Sequence, residues 1–339
     1  MILLALLFVA LCSAAESAKT GPAVGSRIPE LTAVDQNGNR QTFESLRGPK
    51  GLVLLFSRSA DWCPFCKAQL QDLNQRLEEY RSRGLGVASV TADSVAILKN
   101  YATRKGIKFP MLADSDAKIV RAFGILNETV AKDTPFYGVP YPGTYIVNER
   151  GLVKSKYFQA DSRESYTSAS ILTHEFGIDG KEKTTVETPH LKLSYSASDA
   201  TLAPSRRASL IVDVELKPKM HVYAPGIEGN YKPVEWIMPE SKSWSVLPAV
   251  FPPSRKLRLE AIDETVPVYE GRARFVRDLL LGPVSVVKPG ELTVEGIFRY
   301  QACDDRMCYN PRSIPLKWTF RVAQLDSERV PEELQRQVQ

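Results

Sequence analysis

The hydrophobic rhythm of this 339-residue chain changes just past its midpoint, and that change restricts the fold more than any single motif. In the first half, short apolar runs alternate with segments whose apolar residues recur every three or four positions. Gly51–Phe56 reads Gly-Leu-Val-Leu-Leu-Phe, with the length and content of a buried parallel strand. Leu70, Leu73, Leu77 and Tyr80 then place one stripe on a helix predicted to end before Gly84. Val87 and Val90 suggest a second strand, and Val95, Ile97, Leu98 and Tyr101 another helix. Tyr145-Ile146-Val147 and Leu152 to Phe158 suggest two more strands. Such alternation predicts a layered α/β sheet. Beyond residue 190 the period becomes two. Ala208, Leu210, Val212, Val214 and Leu216 alternate with other residues, interrupted by Ile211. Ile314, Leu316, Trp318, Phe320 and Val322 alternate without interruption. Strands of this kind between Pro/Gly turns predict an antiparallel β-sandwich. The domain reading is therefore 24–175, a polar linker 176–191, a β domain 192–323 and a polar tail 324–339.

The N-terminus differs from both halves. Ile2 to Leu11 is an unbroken apolar run followed by Ser13-Ala14-Ala15, too short for a bilayer span but suited to a secretory signal over residues 1–15. A periplasmic or secreted location is expected. Cys12 would be lost with that segment; a lipid-attachment role conflicts with the bulky Leu11 before it. No other stretch is apolar enough to span a membrane. The formal charge of +5 is spread along the chain, and Lys and Arg do not gather with aromatics, so no nucleic-acid partner is expected.

Cleavage would leave four cysteines in two close pairs, Cys63/Cys66 and Cys303/Cys308. Neither pair, bonded within itself, ties distant parts of the chain together, and so short a loop adds little chain-entropy stabilisation. Cys63-Pro64-Phe65-Cys66 falls where a strand hands over to a helix. Unpaired N–H groups at a helix start favour a thiolate, the attacking species in disulfide exchange, and the spacing puts the second sulfur in reach. Pro64 suits the first helical position. Arg58 adds positive charge nearby. An inert disulfide and half of a zinc site are the other readings, the latter opposed by the remoteness of His174, His190 and His221. Cys303 and Cys308 enclose Asp304-Asp305-Arg306-Met307 before Pro311, so a structural hairpin disulfide and a reactive pair both stay open there. Asn127 to Gly138 is a polar insertion that either shapes a partner groove or is a tolerated surface loop.

Residues 24–175 resemble the thioredoxin-like superfamily, especially its redoxin and peroxiredoxin-related (AhpC/TSA) branch. The resemblance rests on Val24-Gly25-Ser26-Arg27-Ile28-Pro29, on Leu55 through Cys66, and on Pro142-Gly143-Thr144-Tyr145-Ile146-Val147-Asn148-Glu149-Arg150-Gly151. It implies that Cys63 attacks, Cys66 resolves, and Pro142 is a cis proline facing the pair, exposing the Tyr141 backbone to an extended polypeptide. Three supports that peroxiredoxins use to bind peroxide are replaced here, by Ser59, Cys63 and Pro142, which favours dithiol–disulfide exchange. The carboxylate that thioredoxins bury under the pair is missing from the strand, since no Asp or Glu occurs between Glu44 and Asp61.

Residues 192–323 resemble the immunoglobulin-like N-terminal periplasmic domain of the DsbD thiol–disulfide interchange family. Met220-His221-Val222-Tyr223-Ala224-Pro225-Gly226, Val268-Tyr269-Glu270-Gly271 and Tyr300 through Cys308 carry that likeness. It implies that Cys303 and Cys308 form a second redox pair shielded by Met220–Tyr223, a relay for electrons to or from Cys63/Cys66 within the chain or between chains, and that a membrane thiol–disulfide electron donor, supplied by another protein, is a partner. The expected fold is an α/β thioredoxin-like domain followed by an all-β immunoglobulin-like sandwich. The expected function is an exported thiol–disulfide oxidoreductase acting on protein thiols and disulfides. The alternatives are a thiol peroxidase and a non-catalytic binding or assembly protein with static disulfides. The sulfurs carry the electrons, so the chemistry demands no organic cofactor and no metal.

Overall fold

The computed structural model describes residues 19–159, 161, 163–259 and 263–337. The expected signal segment 1–15, with Cys12, lies outside the described residues. Among the described residues, no helix is long and apolar enough to cross a membrane.

The first unit opens with β1 (Thr32–Asp35), β2 (Arg40–Thr42), α1 (Phe43–Leu46) and β3 (Gly51–Phe56). It continues through α2 (Pro64–Gln75), α3 (Leu77–Arg81), β4 (Leu85–Thr91), α4 (Val95–Lys105), β5 (Met111–Ala113) and α5 (Lys118–Ala122). β6 (Gly143–Val147), β7 (Val153–Phe158), β8 (Ser165–Tyr166) and α6 (Ser168–Phe176) complete it. Seven of these strands form one sheet in the order β2-β1-β5-β4-β3-β6-β7. β3 runs parallel to β4 and antiparallel to β6. Val53 and Leu55 enter the core on one face of the sheet, Leu52, Leu54 and Phe56 the core on the other. Burial on both faces is why β3 reads as an unbroken apolar run.

The predicted helix over Leu70–Tyr80 is instead two. Arg76 leaves helical geometry (φ −101°, ψ 7°), its N–H shared between the carbonyls of Asp72 and Asn74. All four stripe residues stay buried, so the break shifts the axis without moving the stripe off the core.

The second unit comprises β9 (Lys183–Glu187), β10 (Leu191–Ala197), β11 (Thr201–Leu202), β12 (Arg206–Leu216), β13 (His221–Tyr223), β14 (Glu235–Ile237) and β15 (Trp244–Val246). β16 (Arg255–Leu259), β17 (Glu264–Glu270), β18 (Arg272–Leu281), β19 (Gly290–Tyr300), β20 (Ala302–Cys303) and β21 (Arg312–Val322) follow. It is a multi-sheet β structure. One sheet, β15-β18-β12-β10-β9, and another, β11-β21-β19-β14, bury a common core that includes Leu210, Val212, Phe275, Phe298, Leu316 and Trp318. A smaller sheet, β16-β17-β13-β20, carries Cys303.

Two boundary readings are corrected. Within the stretch read as a linker, Lys183–Glu187 is a strand paired with β10, because polar side chains on an edge strand still satisfy their backbone through the ladder. The stretch read as a separate polar tail, 324–339, is packed in part on the first unit: Asp326 to Arg336 is docked there, and Val330 is buried.

The two units share a polar interface. β8 pairs in parallel with the start of β12, and Ser170 on α6 hydrogen-bonds Ser209 on β12 at 2.7 Å. Ile211 shares that face of β12 with Ser209; it is fully buried, yet it stands outside the β core. The interruption in the alternating pattern thus marks the strand face that the first unit covers. Asp72 of α2 accepts from Arg206 at 2.5 Å, with the guanidinium almost wholly buried. Thr167 donates to Asp199 at 2.6 Å.

Candidate active site

The turn from β3 into α2 builds the first site. Cys63 is the N-cap of α2, with extended backbone (φ −101°, ψ 99°) and Pro64 in the first turn. Its Sγ accepts the backbone N–H of Cys66 at 3.1 Å and is disulfide-bonded to Cys66. Helix starts carry N–H groups without intrahelical partners, and here a sulfur takes the place usually filled by a Ser or Asp oxygen. The Arg58 guanidinium lies beside it, Nη2 3.4 Å from Cys63 Sγ and Cζ 5.8 Å from the centre of the Trp62 ring. Burial pushes the Arg58 pKa below its ordinary value, with Asp161 opposing, and its Nε has no hydrogen-bond partner among the described residues.

The sequence leads one to expect Cys63 at an exposed helix start, but both cysteines are only 1% exposed. Part of the surroundings is the insertion 127–138, closed at its base by a bridge between Leu126 and Pro140. Phe136 from this insertion packs edge-on against Trp62, 4.7 Å between ring centres. Pro142 directly precedes β6, and Gly143 pairs with Phe56, the last residue of β3. The expected cis proline is corrected: no peptide bond among the described residues is cis. The bond into Pro142 is an ordinary trans bond, and the Tyr141 N–H donates to the Ile125 carbonyl at 2.7 Å.

Three buried polar residues that the sequence reading missed hold this turn. Asp93, just beyond β4, accepts from Ser59 Oγ at 2.7 Å, from the Ala60 N–H at 2.6 Å and from Thr91 Oγ1 at 2.9 Å. Burial raises its pKa against those hydrogen bonds. A buried carboxylate is therefore present beside the site, supplied by the segment just after β4 and not by β3. Asp61, two residues before Cys63, is paired with Arg329 of the tail at 2.9 and 2.7 Å and accepts the Val330 N–H at 2.8 Å. Lys67, next to Cys66, is fully buried and donates to the Glu328 carbonyl at 2.6 Å. Burial lowers its pKa, opposed by Asp326 and Asp61. Arg104 and Lys105 of α4 complete the clasp on Glu328 and Asp326. The signal for this contact was the mixed charge of the tail, which names no docking place by itself.

The second disulfide joins Cys303 and Cys308. Cys303 is buried and lies opposite His221 in the β13–β20 pair, whereas Cys308 is exposed. The Tyr223 hydroxyl sits 3.3 Å from Cys308 Sγ and 3.4 Å from Cys303 Sγ. An open cleft lined by Ile227, Tyr231, Val266, Pro267 and Gln301 reaches Cys308. Asp304 is held down to about 2 by the Tyr309 hydroxyl and the N–H groups of Arg306 and Met307, which keeps the intervening loop charged. His221 is pushed below its usual pKa by burial, and its Nε2 has no partner among the described residues. The structure does not bring the two disulfides together. Among the described residues, no cluster of His, Cys, Asp and Glu could hold a metal ion.

A cation at 3.4 Å favours a thiolate over a thiol. Replacing Arg58 with methionine should disfavour the Cys63 thiolate and slow alkylation of the reduced protein at pH 7 by a few-fold, on the order of tenfold at most, while Arg58→Lys keeps part of the effect. The pH profile of iodoacetamide labelling in Cys66→Ser backgrounds checks this.

The AhpC/TSA family profile matches residues 24–156. Alkyl hydroperoxide reductase E of Mycobacterium tuberculosis is 27% identical over 133 residues, 39% of this chain and 82% of that protein. Thiol-disulfide oxidoreductase ResA of Bacillus anthracis is 24% identical over 142 residues, 42% of this chain and 73% of that protein. Among solved structures, peroxidoxin BcpB of Mycobacterium tuberculosis aligns with 43% of this chain and 91% of its own at a TM-score of 0.36 and 18% identity. Residues 24–156 are a redoxin domain of the AhpC/TSA family with a thioredoxin-like fold, carrying its cysteine pair at the first turn of α2.

Proposed function

We propose that this protein is an exported thiol–disulfide oxidoreductase that acts on protein disulfides through Cys63 and Cys66. The observation that carries the reading is the N-cap position of Cys63, its sulfur accepting the Cys66 N–H beside the Arg58 guanidinium. Reduced, Cys63 attacks a partner disulfide as the thiolate; one partner sulfur leaves and takes a proton. Cys66 then attacks Cys63 Sγ and releases the second partner sulfur, leaving Cys63–Cys66 oxidised. Pro142, at the entrance of β6, is proposed to border the groove for the partner chain. The apolar run Ile2–Leu11 supports export. Residues 192–323 are proposed to be a DsbD N-terminal-like module whose Cys303 and Cys308 form a second redox pair, fed by a membrane thiol–disulfide donor; the Tyr223 hydroxyl against both sulfurs and the exposure of Cys308 support this.

One observation favours hydroperoxide reduction as a second reading: both sulfurs of the first pair are buried, and a small oxidant needs less room than a polypeptide. The two are separated by a Cys66→Ser protein. Protein-disulfide exchange predicts that it accumulates a Cys63-linked mixed disulfide with proteins of its compartment. Absence of such adducts, together with rapid stopped-flow oxidation of the reduced wild type by hydroperoxide, would replace the first reading with the second.

A further inference from the structure

The long strands of the β unit measure the separation between its two ends. β19 and β21 are 11 residues each and pair from Gly290–Val322 at one end to Tyr300–Arg312 at the other. At the ordinary rise of a strand that is a span of ~30 Å. Cys303 lies three residues beyond Tyr300. At the same end, His190 stacks on Tyr309 at 4.5 Å, and Tyr300 reaches Thr188. The first unit sits at the other end. Arg206 and Ser209 at the start of β12 bind Asp72 and Ser170, and Asp199 beyond β10 binds Thr167. The tail leaves Val322 there and is clasped by Lys67, Asp61, Arg104 and Lys105. Only Gly177–Glu182 separates α6 from β9, so the first unit is held on that end by a short connection as well as by the interface and the clasp. The disulfides therefore occupy opposite poles of one chain.

Resting on the reading of Cys303/Cys308 as a redox pair, we propose that electrons pass between the two pairs from one copy of the chain to another, the exposed Cys308 of one copy meeting the Cys63–Cys66 disulfide of the second. The surfaces are complementary in charge and character. The loop that carries Cys308 presents Asp305 beside Arg306 and a Met307 that is 56% exposed; Asp304 is tied to Tyr309, and Glu264 stands on the adjoining cleft. The first site presents the Arg58 guanidinium and, beside Trp62, a Phe136 that is 41% exposed. An incoming carboxylate gives Arg58 a stronger partner than a disulfide sulfur and draws it off Cys63. The Cys308 thiolate attacks Cys63 Sγ; the Cys63–Cys66 bond breaks and Cys66 leaves as a thiolate that takes up a proton. Cys303, having lost its proton, attacks Cys308 Sγ and expels Cys63, which is protonated in turn. Two electrons and two protons move from the second pair to the first, with no other reactant consumed.

The test uses two full-length chains. Cys63→Ser/Cys66→Ser retains only the second pair and is supplied reduced; Cys303→Ser/Cys308→Ser retains only the first and is supplied oxidised. Acid quenching and alkylation of the mixture, read by mass, should show thiols moving from one chain to the other at a rate proportional to concentration. In wild type carrying one reduced pair, equilibration should also accelerate with concentration. Asp305→Lys on the donor chain should slow the transfer several-fold at low salt. A silent mixture beside a wild type that equilibrates at a concentration-independent rate would overturn the proposal and leave the second pair as an internal relay. If neither exchanges while both pairs react with small dithiols, the redox reading of the second pair falls, and the proposal with it.

Discussion

Replacing Cys63 with serine is expected to abolish reduction of a disulfide-bonded protein substrate while leaving the fold intact. A serine hydroxyl preserves the N-cap bond to the Cys66 N–H, so α2 keeps its start. Its oxygen, however, is not ionised at neutral pH and cannot form a mixed disulfide. Among the described residues, no histidine stands at the site to deprotonate it, His174 being engaged with Asp278 and Ser209 at the domain interface. Cys66 alone has neither the N-cap position nor the guanidinium contact. Turnover of an insulin-type disulfide substrate should fall to the uncatalysed rate, with unchanged circular dichroism as the control. Residual turnover near wild type would move the attacking role to Cys66 or to the second pair.

The second large effect concerns the interface. Asp199 is buried, accepts from Thr167 and Ser198 at 2.6 Å each, and has its pKa raised to about 6 by burial and then by the nearby Asp72, with the two hydroxyls and Arg76 opposing. A folded-state pKa above the unfolded value contributes stability that is complete below the unfolded pKa and lost as pH rises through the folded one. Here that window runs from the ordinary 3.8 to about 6. The Asp199→Asn protein keeps an acceptor for both hydroxyls and has no charge to bury. It should be more stable than wild type by about 2–3 kcal/mol at pH 7, the difference closing toward pH 4. Denaturant midpoints of both proteins across that range test this; equal midpoints at pH 7 would show that the ionised carboxylate costs nothing where it lies.

What could be read from the residues, and what could not, divides by the range of the interactions. Gly51–Phe56, the stripe from Leu70 to Tyr80 and the alternation from Ile314 to Val322 are local patterns, and each falls on an element of the structure. Cys63 at a helix start was legible because a strand, a Cys-Pro pair and an amphipathic stripe follow one another directly. Asp93 was not, since its partners Ser59 and Ala60 are more than 30 positions away and nothing in the strand before the cysteines points to it. The contact of Arg58 with Cys63 depends on the aim of a long side chain, a rotamer choice that no spacing encodes. The tail reads only as polar because its partners Asp61 and Lys67 lie over 260 positions earlier. Ile211 did carry a signal for the interface, as an apolar residue on the wrong parity, but a single irregularity does not name what covers it.

The clasp between residues 326–330 and the turn around Asp61 has a consequence for biosynthesis. Chains emerge from the ribosome N-terminus first, and domains generally fold as they appear. The redoxin domain therefore precedes its clasp in order of appearance, and its Asp61 carboxylate and Lys67 ammonium are covered only when residues 326–330 follow. A chain cut before residue 326 would leave the Asp61 carboxylate and the Lys67 ammonium beside the cysteine turn without these partners.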